Sequence, residues 1–239
     1  HALLNEGAEI GEHQYQPFEG ICLTDTFELY EKDDLISELL ADNSDRRNRQ
    51  KALDIRVIMG NPPYSAGQTS ANDNNANVTY EGLDGRIRDT YAHRSTATNK
   101  NALYDSYIRA IRWASDRVCK NRCSSKIDFE KSPCATQCQC NGVVGFVTNA
   151  GFLESNTGDG LRKCLADEFS SIYIFHLRGN ARTQGELRRK EKDNVFGQGT
   201  RTPIAIALYV KNPNPQTHGN IYWHDIGDYL TQKQKLDII

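Results

Sequence analysis

Residues 57–64 read Val-Ile-Met-Gly-Asn-Pro-Pro-Tyr, an apolar run that ends in two consecutive prolines and an aromatic residue. The run predicts a strand from Ile55 to Met59. The prolines predict a stiff turn directly after it, because proline fixes φ and lacks a backbone donor. Asn61 and the carbonyl of Pro62 could accept both hydrogens of an exocyclic amino group, while the Tyr64 ring offers a face for stacking. The pattern favours a pocket for a flat, amino-bearing base; the alternative is a proline turn that only closes a strand.

Further apolar runs bounded by glycine, asparagine or other polar residues predict more strands downstream. These strands span residues 142–148, 171–177 and 203–211. Near the N-terminus, Gly20 to Leu23 has the same strand-like character and is followed closely by Asp25. An acid at the carboxyl end of a strand is where α/β sheets place ligand-binding groups.

Helical spacing of apolar residues predicts helices over 99–118 and 158–169. In the first of these, Arg109, Arg112 and Arg117 are expected to face solvent. Strands that alternate with helices indicate an α/β fold, with a parallel or mixed sheet and helices on both faces.

Ser65 to Tyr80 is predicted to be a long loop or lid, and 178–202 a basic loop. The two polar stretches 65–100 and 178–202 each follow a predicted strand and could overhang the sheet edge that carries Asn61. Two basic clusters also occur, and each could be a phosphate-binding patch or a solvated charged face. They comprise Arg46, Arg47, Arg49 and Lys51, and Arg182, Arg188, Arg189, Lys190 and Lys192.

The composition gives no global signal for nucleic acid. The 239-residue chain carries 29 basic against 31 acidic residues, a formal net charge of −2, so any DNA binding must be local. It has no apolar stretch long enough to cross a membrane and no secretory leader. We therefore expect a cytoplasmic protein with no membrane partner.

Five of the seven cysteines fall within one window, at about residues 119–141. The spacing departs from the usual C-x2-C zinc pattern, and the window contains no histidine. A structural zinc, an irregular insertion with free thiols, and disulfides all remain open. The five are Cys119, Cys123, Cys134, Cys138 and Cys140.

Four stretches together resemble the methyltransferase region of Type ISP restriction-modification enzymes, a group of adenine-methylating DNA methyltransferases. They are IRVIMGNPPYSAGQ (55–68), LYDSYIRAIRWA (103–114), GFVTNAGFL (145–153) and FGQGTRTPIAI (196–206). The resemblance implies a Rossmann-like, S-adenosylmethionine-dependent fold in which the Asn-Pro-Pro-Tyr turn follows the fourth strand. It implies S-adenosylmethionine as the cofactor, adenine N6 as the acceptor and double-stranded DNA as the partner.

The resemblance also implies roles for individual residues. Asn61 and Pro62 would accept the target amino group, Pro63 would stiffen the turn, and Tyr64 would stack on the adenine flipped out of the duplex. Asp25 would contact the cofactor, and Phe196 would be a second stacking ring. The alternatives are a turn aspartate at Asp25 and a phenylalanine at 196 that anchors its loop in the core. No metal is required.

The glycine turn that binds the methionine part of the cofactor in this family is not found upstream of Asp25. We therefore expect residues 1–212 to be the back, catalytic part of an adenine methyltransferase domain, interrupted by the cysteine-rich insertion, and residues 213–239 to begin a following unit. Alone, the chain is expected to bind S-adenosylmethionine weakly or not at all. Its implied partners are the remaining methyltransferase, helicase-like and nuclease regions of one parent chain.

Three other functions compete with adenine methylation. A catalytically inactive, DNA-binding remnant would keep the base pocket without the cofactor site. A protein-glutamine methyltransferase could bind a side-chain amide with the same turn. A zinc-binding interaction module could form on the cysteines.

Overall fold

The structure, a computed structural model, describes residues 20–27, 41–63, 79–119, 140–214 and 218–239. The chain divides into two compact units, His1–Leu53 and Asp54–Ile239. In the first unit one helix is described, α1 (Ala41–Ala52). The sequence also predicts a short helix from Ala2 to Glu9, which lies outside the described residues.

The second unit is an α/β domain built on one five-stranded mixed sheet. Its strands are β1 (Val57–Gly60), β2 (Gly142–Asn149), β3 (Ser171–Arg178), β4 (Ile204–Lys211) and β5 (Asn220–Asp225). The described helices are α2 (Glu81–Ile87), α3 (Ser106–Arg117), α4 (Gly151–Glu154), α5 (Asp159–Glu168), α6 (Gly185–Glu191) and α7 (Gln232–Ile238). The α/β class, the four strands from β1 to β4, and helices α3 and α5 confirm the expectations from sequence.

The strand order is β1-β2-β4-β3-β5. β1 runs parallel to β2, and β3 runs parallel to β5. β4 lies between β2 and β3 and is antiparallel to both. The carboxyl ends of β1, β2 and β3 and the beginning of β4 therefore meet at one edge of the sheet.

One face of the sheet is buried along its three central strands, β2, β4 and β3. Its central row joins Phe146, Ala207 and Ile174 across three neighbouring strands, each at most 4% exposed. Helices α3 and α5 cover this face: Lys211 of β4 donates to the Ser115 carbonyl of α3 at 3.0 Å, and Phe169, directly after α5, packs on Tyr209. The interior therefore lies between the sheet and these two helices.

A smaller apolar cluster covers the other face near the edge where β1, β2 and β3 end. It consists of Leu177, Val195, Ile204 and Ile226, with Val147, Phe175, Ile206 and Leu230 packed against it. Residues 226–230 thus belong to the same domain as the sheet. The segment 213–239, which we expected to begin a new unit, contributes β5 to this sheet and ends in α7.

The predicted loop from Ser65 to Tyr80 lies almost entirely outside the described residues, and α2 and a wide π-type turn, Arg88–Ala92, follow it at 81–92. Three of the sequence expectations about local structure are wrong. The stretch 178–202 contains α6 and the short helical turn Gly197–Gly199. Gly20 to Leu23 forms no strand, since the Leu23 N–H and carbonyl both bond to the Asn43 side chain at 2.7 Å.

The third error concerns the arginines of α3, which are buried and do not face solvent. Arg112 is 0% exposed and Arg109 is 8% exposed. Each forms a two-pronged ion pair, Arg109 with Asp84 of α2 and Arg112 with Glu168 of α5. Buried guanidinium groups require such bidentate partners. The polar face of α3 is therefore an interior charged layer that joins α2 and α5.

No helix among the described residues combines the length and the apolar character that crossing a bilayer requires.

Candidate functional site

The Asn-Pro-Pro turn begins where β1 ends, at the edge described above. Gly60 closes the strand, and the Phe146 ring of β2 lies at contact distance from it. Asn61 and Pro63 are exposed, whereas Pro62 between them is buried. Pro62 therefore anchors the turn to the domain and leaves the Asn61 amide accessible from solvent. Tyr64 lies outside the described residues.

Three further segments come to the same edge because of the strand order. They follow β2 (149–151), follow β3 (178–183) and precede β4 (194–203). The Ala150 N–H donates to the Pro203 carbonyl at 2.8 Å, which joins the end of β2 to the start of β4. The ends of β2 and β4 are thus hydrogen-bonded to each other at this edge.

Asn194 ties two of these segments together from a buried position. Its amide group donates to the Gly179 carbonyl at 3.2 Å and to the Thr202 carbonyl at 2.9 Å. The Ala181 N–H adds a bond to the Arg201 carbonyl at 3.0 Å. Gly179 has a φ of +91°, and an added Cβ would lie 2.8 Å from the Asn194 amide nitrogen. Glycine is needed there for both backbone conformation and space.

Phe196 stands on a tight turn at this edge. Its N–H donates to the Asn194 side-chain oxygen at 2.9 Å, and the next N–H, of Gly197, donates to the Asn194 carbonyl at 3.0 Å. Phe196 is 46% exposed. The interpretation of Phe196 as a core anchor is therefore wrong, and its role as a stacking ring stays a prediction.

Asp25 belongs to the other unit, His1–Leu53. Its side chain accepts the Phe27 N–H at 3.0 Å, as turn aspartates commonly do. The residues before it, 21–24, form no strand, and Ile21 and Leu23 are more than half exposed. The strand-end position that suggested a cofactor role for Asp25 is absent, so that role rests on the resemblance alone.

Asp105, which caps the beginning of α3, is a titratable group that the sequence did not single out. Its carboxylate accepts the Ser106 N–H at 3.0 Å. Burial raises the pKa of Asp105 to about 6, against the opposing effects of the Ser106 bond and the charges of Arg109 and Arg182. The influence of Arg182 indicates that the segment following β3 approaches the start of α3.

The cysteine window is described only at its two ends. Cys119 is buried, forms no disulfide and accepts a hydrogen bond from the Lys211 ammonium at 3.2 Å, whereas Cys140 is disulfide-bonded. Cys123, Cys134 and Cys138 lie outside the described residues. Within the described ranges, no group of three or more histidine, cysteine or acidic side chains could hold a metal ion.

Comparisons with known proteins find similarity among solved structures. No protein-family model matches the chain, and no curated protein matches it either. A nuclease-deletion mutant of the Type ISP restriction-modification enzyme LlaGI, in complex with a DNA substrate mimic, is 44% identical over 95% of this chain, with a TM-score of 0.79. The ATP-dependent Type ISP restriction-modification enzyme LlaBIII, bound to DNA, is 41% identical over 95%, also with a TM-score of 0.79.

A third similar structure is that of DrdV in complex with DNA, which is 37% identical over 94% of this chain, with a TM-score of 0.77. This chain spans only 17%, 14% and 20% of the three longer chains, respectively. The similarity therefore covers almost all of this chain but only one region of each relative.

Proposed function

We propose that this chain is the base-binding region of an adenine-N6 DNA methyltransferase within a restriction-modification enzyme of the Type ISP kind. The observation that carries the proposal is the turn after β1, where Asn61 is exposed and Pro62 is buried at the edge of the sheet. The identity of 41–44% with two Type ISP enzymes, both in DNA complexes, supports DNA as the substrate.

The proposed chemistry follows from the acceptors on the turn. The Asn61 side-chain oxygen and the Pro62 carbonyl each accept one hydrogen of the adenine amino group. Two such bonds orient the nitrogen lone pair and increase its electron density. The rigid turn holds both acceptors in place before the base arrives, so little entropy is lost on binding. Tyr64 and Phe196 supply faces for stacking, which offsets the cost of removing the base from the duplex.

The described residues supply the proposed contacts to the base. They do not by themselves form a site for S-adenosylmethionine. Asp25 lies in a turn of the other unit, and its side chain bonds to Phe27 N–H. We propose S-adenosylmethionine as the methyl donor on the strength of the resemblance; when bound, it supplies an electrophilic methyl group on sulfur. The contribution of this chain is to bind, orient and polarise the acceptor amino group.

Methyl transfer to DNA tests this proposal. The proposed parent enzyme, which supplies the remaining methyltransferase regions, is incubated with tritium-labelled S-adenosylmethionine and unmethylated genomic DNA, which contains every short recognition site. The DNA is then digested and its nucleosides are separated. We expect label in N6-methyladenine, and we expect Asn61→Ala to reduce it by about two to three orders of magnitude, as removal of a key transition-state hydrogen bond does elsewhere.

Matched variants at the same position sharpen the result. Asn61→Asp keeps an acceptor and should retain much more activity than Asn61→Ala, because aspartate also occupies this position in the family. Label in a methylated cytosine would overturn adenine as the acceptor. DNA binding without methyl transfer or binding of S-adenosylmethionine would favour the catalytically inactive, DNA-binding remnant.

A further inference from the structure

We propose that Arg182 and Arg201 form a phosphate-binding pair that holds the DNA backbone beside the Asn61 turn. The inference rests on the proposed function, since it assumes that DNA approaches this edge of the sheet. It adds a second contact, to the sugar-phosphate backbone, which the base-binding turn does not provide.

Basic residues are concentrated in the segment 178–202. Residues 178–202 contain seven basic and three acidic side chains, a net charge of +4 in a chain whose total is −2. Helix α6 lies within this segment and has no buried residue. DNA affinity depends largely on cations that neutralise phosphates. The segment is therefore a local positive region on a chain with a net negative charge.

Several of these basic residues already form ion pairs with acidic side chains. Arg178 pairs with Asp225 at 2.8 Å and with Asp228 at 2.6 Å. Lys190 also pairs with Asp228, at 3.4 Å, and Arg189 pairs with Glu186 at 3.2 Å. These acids reduce the charge that the three basic residues can offer to a phosphate.

Arg182 and Arg201 differ from those residues. Both are exposed, and within the described part of the chain neither has an acidic partner within 4.0 Å. Asp105 is influenced by the charge of Arg182 but forms no ion pair with it. The two guanidinium groups thus keep their donors for an external anion, and guanidinium matches phosphate oxygens in a two-pronged geometry.

Backbone hydrogen bonds hold the segments of Arg182 and Arg201 together. The Ala181 N–H, directly before Arg182, donates to the carbonyl of Arg201 at 3.0 Å. The Arg182 N–H donates to the Asn180 side chain at 3.0 Å, and the Asn180 N–H donates to Glu191 at 2.8 Å. Both arginines therefore start from backbone that is already ordered, which lowers the entropic cost of binding.

The pair lies at the same edge of the sheet as Asn61. Arg201 lies three residues before β4, and β4 is separated from β1 only by β2. Gly60 is level with Ala207 of β4, so Arg201 lies farther along the strand direction than Asn61, beyond the end of β1. A duplex that presents a base to Asn61 would therefore have backbone phosphates within reach of this edge.

Salt-dependent DNA binding tests the pair. Anisotropy of a short fluorescein-labelled duplex gives the binding constant of the 239-residue chain across a salt series. Each phosphate contact contributes about 0.9 to the slope of log K against log salt concentration. We expect Arg182→Gln with Arg201→Gln to reduce that slope by about 2, and we expect Arg182→Lys with Arg201→Lys to retain it.

The matched control is Arg88→Gln with Lys233→Gln. This variant removes the same charge from two exposed residues that pair with Asp89 and Asp237. Its slope should equal that of the unmodified chain. Unchanged thermal unfolding in all variants would show that the fold is retained.

Three results would overturn the proposal. They are an unchanged slope for the glutamine variant, an equal loss in the control, and no duplex binding by the unmodified chain at low salt. The proposed function has a separate readout, because Asn61→Ala should abolish adenine methylation and leave the slope unchanged. A reduced slope without adenine methylation would retain the arginine pair and reject the methyltransferase assignment.

Discussion

Arg112 and Glu168 form a two-pronged ion pair in the interior of the domain, although 56 residues separate them along the chain. Their nitrogen–oxygen distances are 2.6 and 2.9 Å, and neither side chain is more than 1% exposed. The Ser115 hydroxyl also donates to Glu168, and the Arg112 guanidinium stacks over the Tyr91 ring at 5.2 Å. Burial alone would raise the pKa of Glu168, but Arg112 lowers it below its usual range. The pair therefore stays ionised and fixes α3 against α5.

Replacing Arg112 by Met should strongly destabilise the domain. Glu168 would keep a buried charge without its cation, and such changes cost about 3–5 kcal/mol. Urea unfolding followed by circular dichroism measures the change. Arg88→Met is the control, because Arg88 forms an exposed pair with Asp89 and its loss should leave stability almost unchanged. The double variant Arg112→Met with Glu168→Met should recover much of the loss, and equal effects of the two single variants would contradict the role of the buried pair.

Replacing Gly160 by Ala should destabilise the packing of α5 against the turn at 88–95. An added Cβ would lie 2.1 Å from the Tyr91 carbonyl oxygen and 2.6 Å from the Ser95 nitrogen, both backbone atoms. We expect a loss of at least about 1–3 kcal/mol, the usual cost of overpacking. Gly85→Ala in α2 is the matched control, since its Cβ would meet only the end of Arg88 at 3.6 Å. That change should stabilise the helix by about 0.5–1 kcal/mol. Thermal unfolding of both variants decides the point.

Replacing Asp105 by Asn should have a pH-dependent effect on stability. Because the pKa of Asp105 is raised to about 6 in the folded state, its stabilising contribution is present below pH 4 and is lost as the pH rises through 6. Asparagine cannot ionise and can still accept the Ser106 N–H. The variant should therefore be more stable than the unmodified chain at pH 8, with little difference at pH 4. Urea unfolding at both pH values tests this, and an identical difference at the two would contradict it.

Replacing Phe196 by Ala should weaken base binding with little effect on stability. The side chain is 46% exposed, so its removal should change the free energy of unfolding only slightly. Stacking of a base on an aromatic ring is worth about 1–3 kcal/mol, or roughly 5- to 150-fold in affinity. The measurement is binding to a duplex with a mismatched adenine, which is easier to flip out. Leu187→Ala is the control, because Leu187 is 63% exposed and lies in α6. Equal binding by both variants would remove Phe196 from the site.

The strands were predictable because their signal is local. β2 and β4 are apolar runs with polar or glycine boundaries, and such runs form strands almost wherever a sheet can take them up. The exposed position of Asn61 also followed from local chemistry, since two prolines cannot continue a strand. What the sequence did not reveal was the antiparallel insertion of β4 between β2 and β3, which depends on pairing between distant segments.

The burial of the α3 arginines was also not predictable from the sequence, because it too depends on distant segments. Their helical spacing placed them opposite the apolar residues, which ordinarily means the solvent side. Asp84 and Glu168 cover that side, at separations of 25 and 56 residues. No periodicity within α3 could indicate these partners. The turn at Asp25 has a similar origin, because Asn43, 20 residues from Leu23, supplies the bonds that a neighbouring strand would have made.

Lys235, near the end of the chain, gives the arginine segment a remote support. It is fully buried, and its ammonium group donates to the carbonyls of Leu177, Glu191 and Asp193 at 2.7 to 3.0 Å. The Lys235 side chain in α7 thus joins both ends of the stretch that contains α6. Trimming the protein by a handful of C-terminal residues would remove these three bonds and should weaken the proposed DNA binding, without altering any residue proposed to contact a nucleotide.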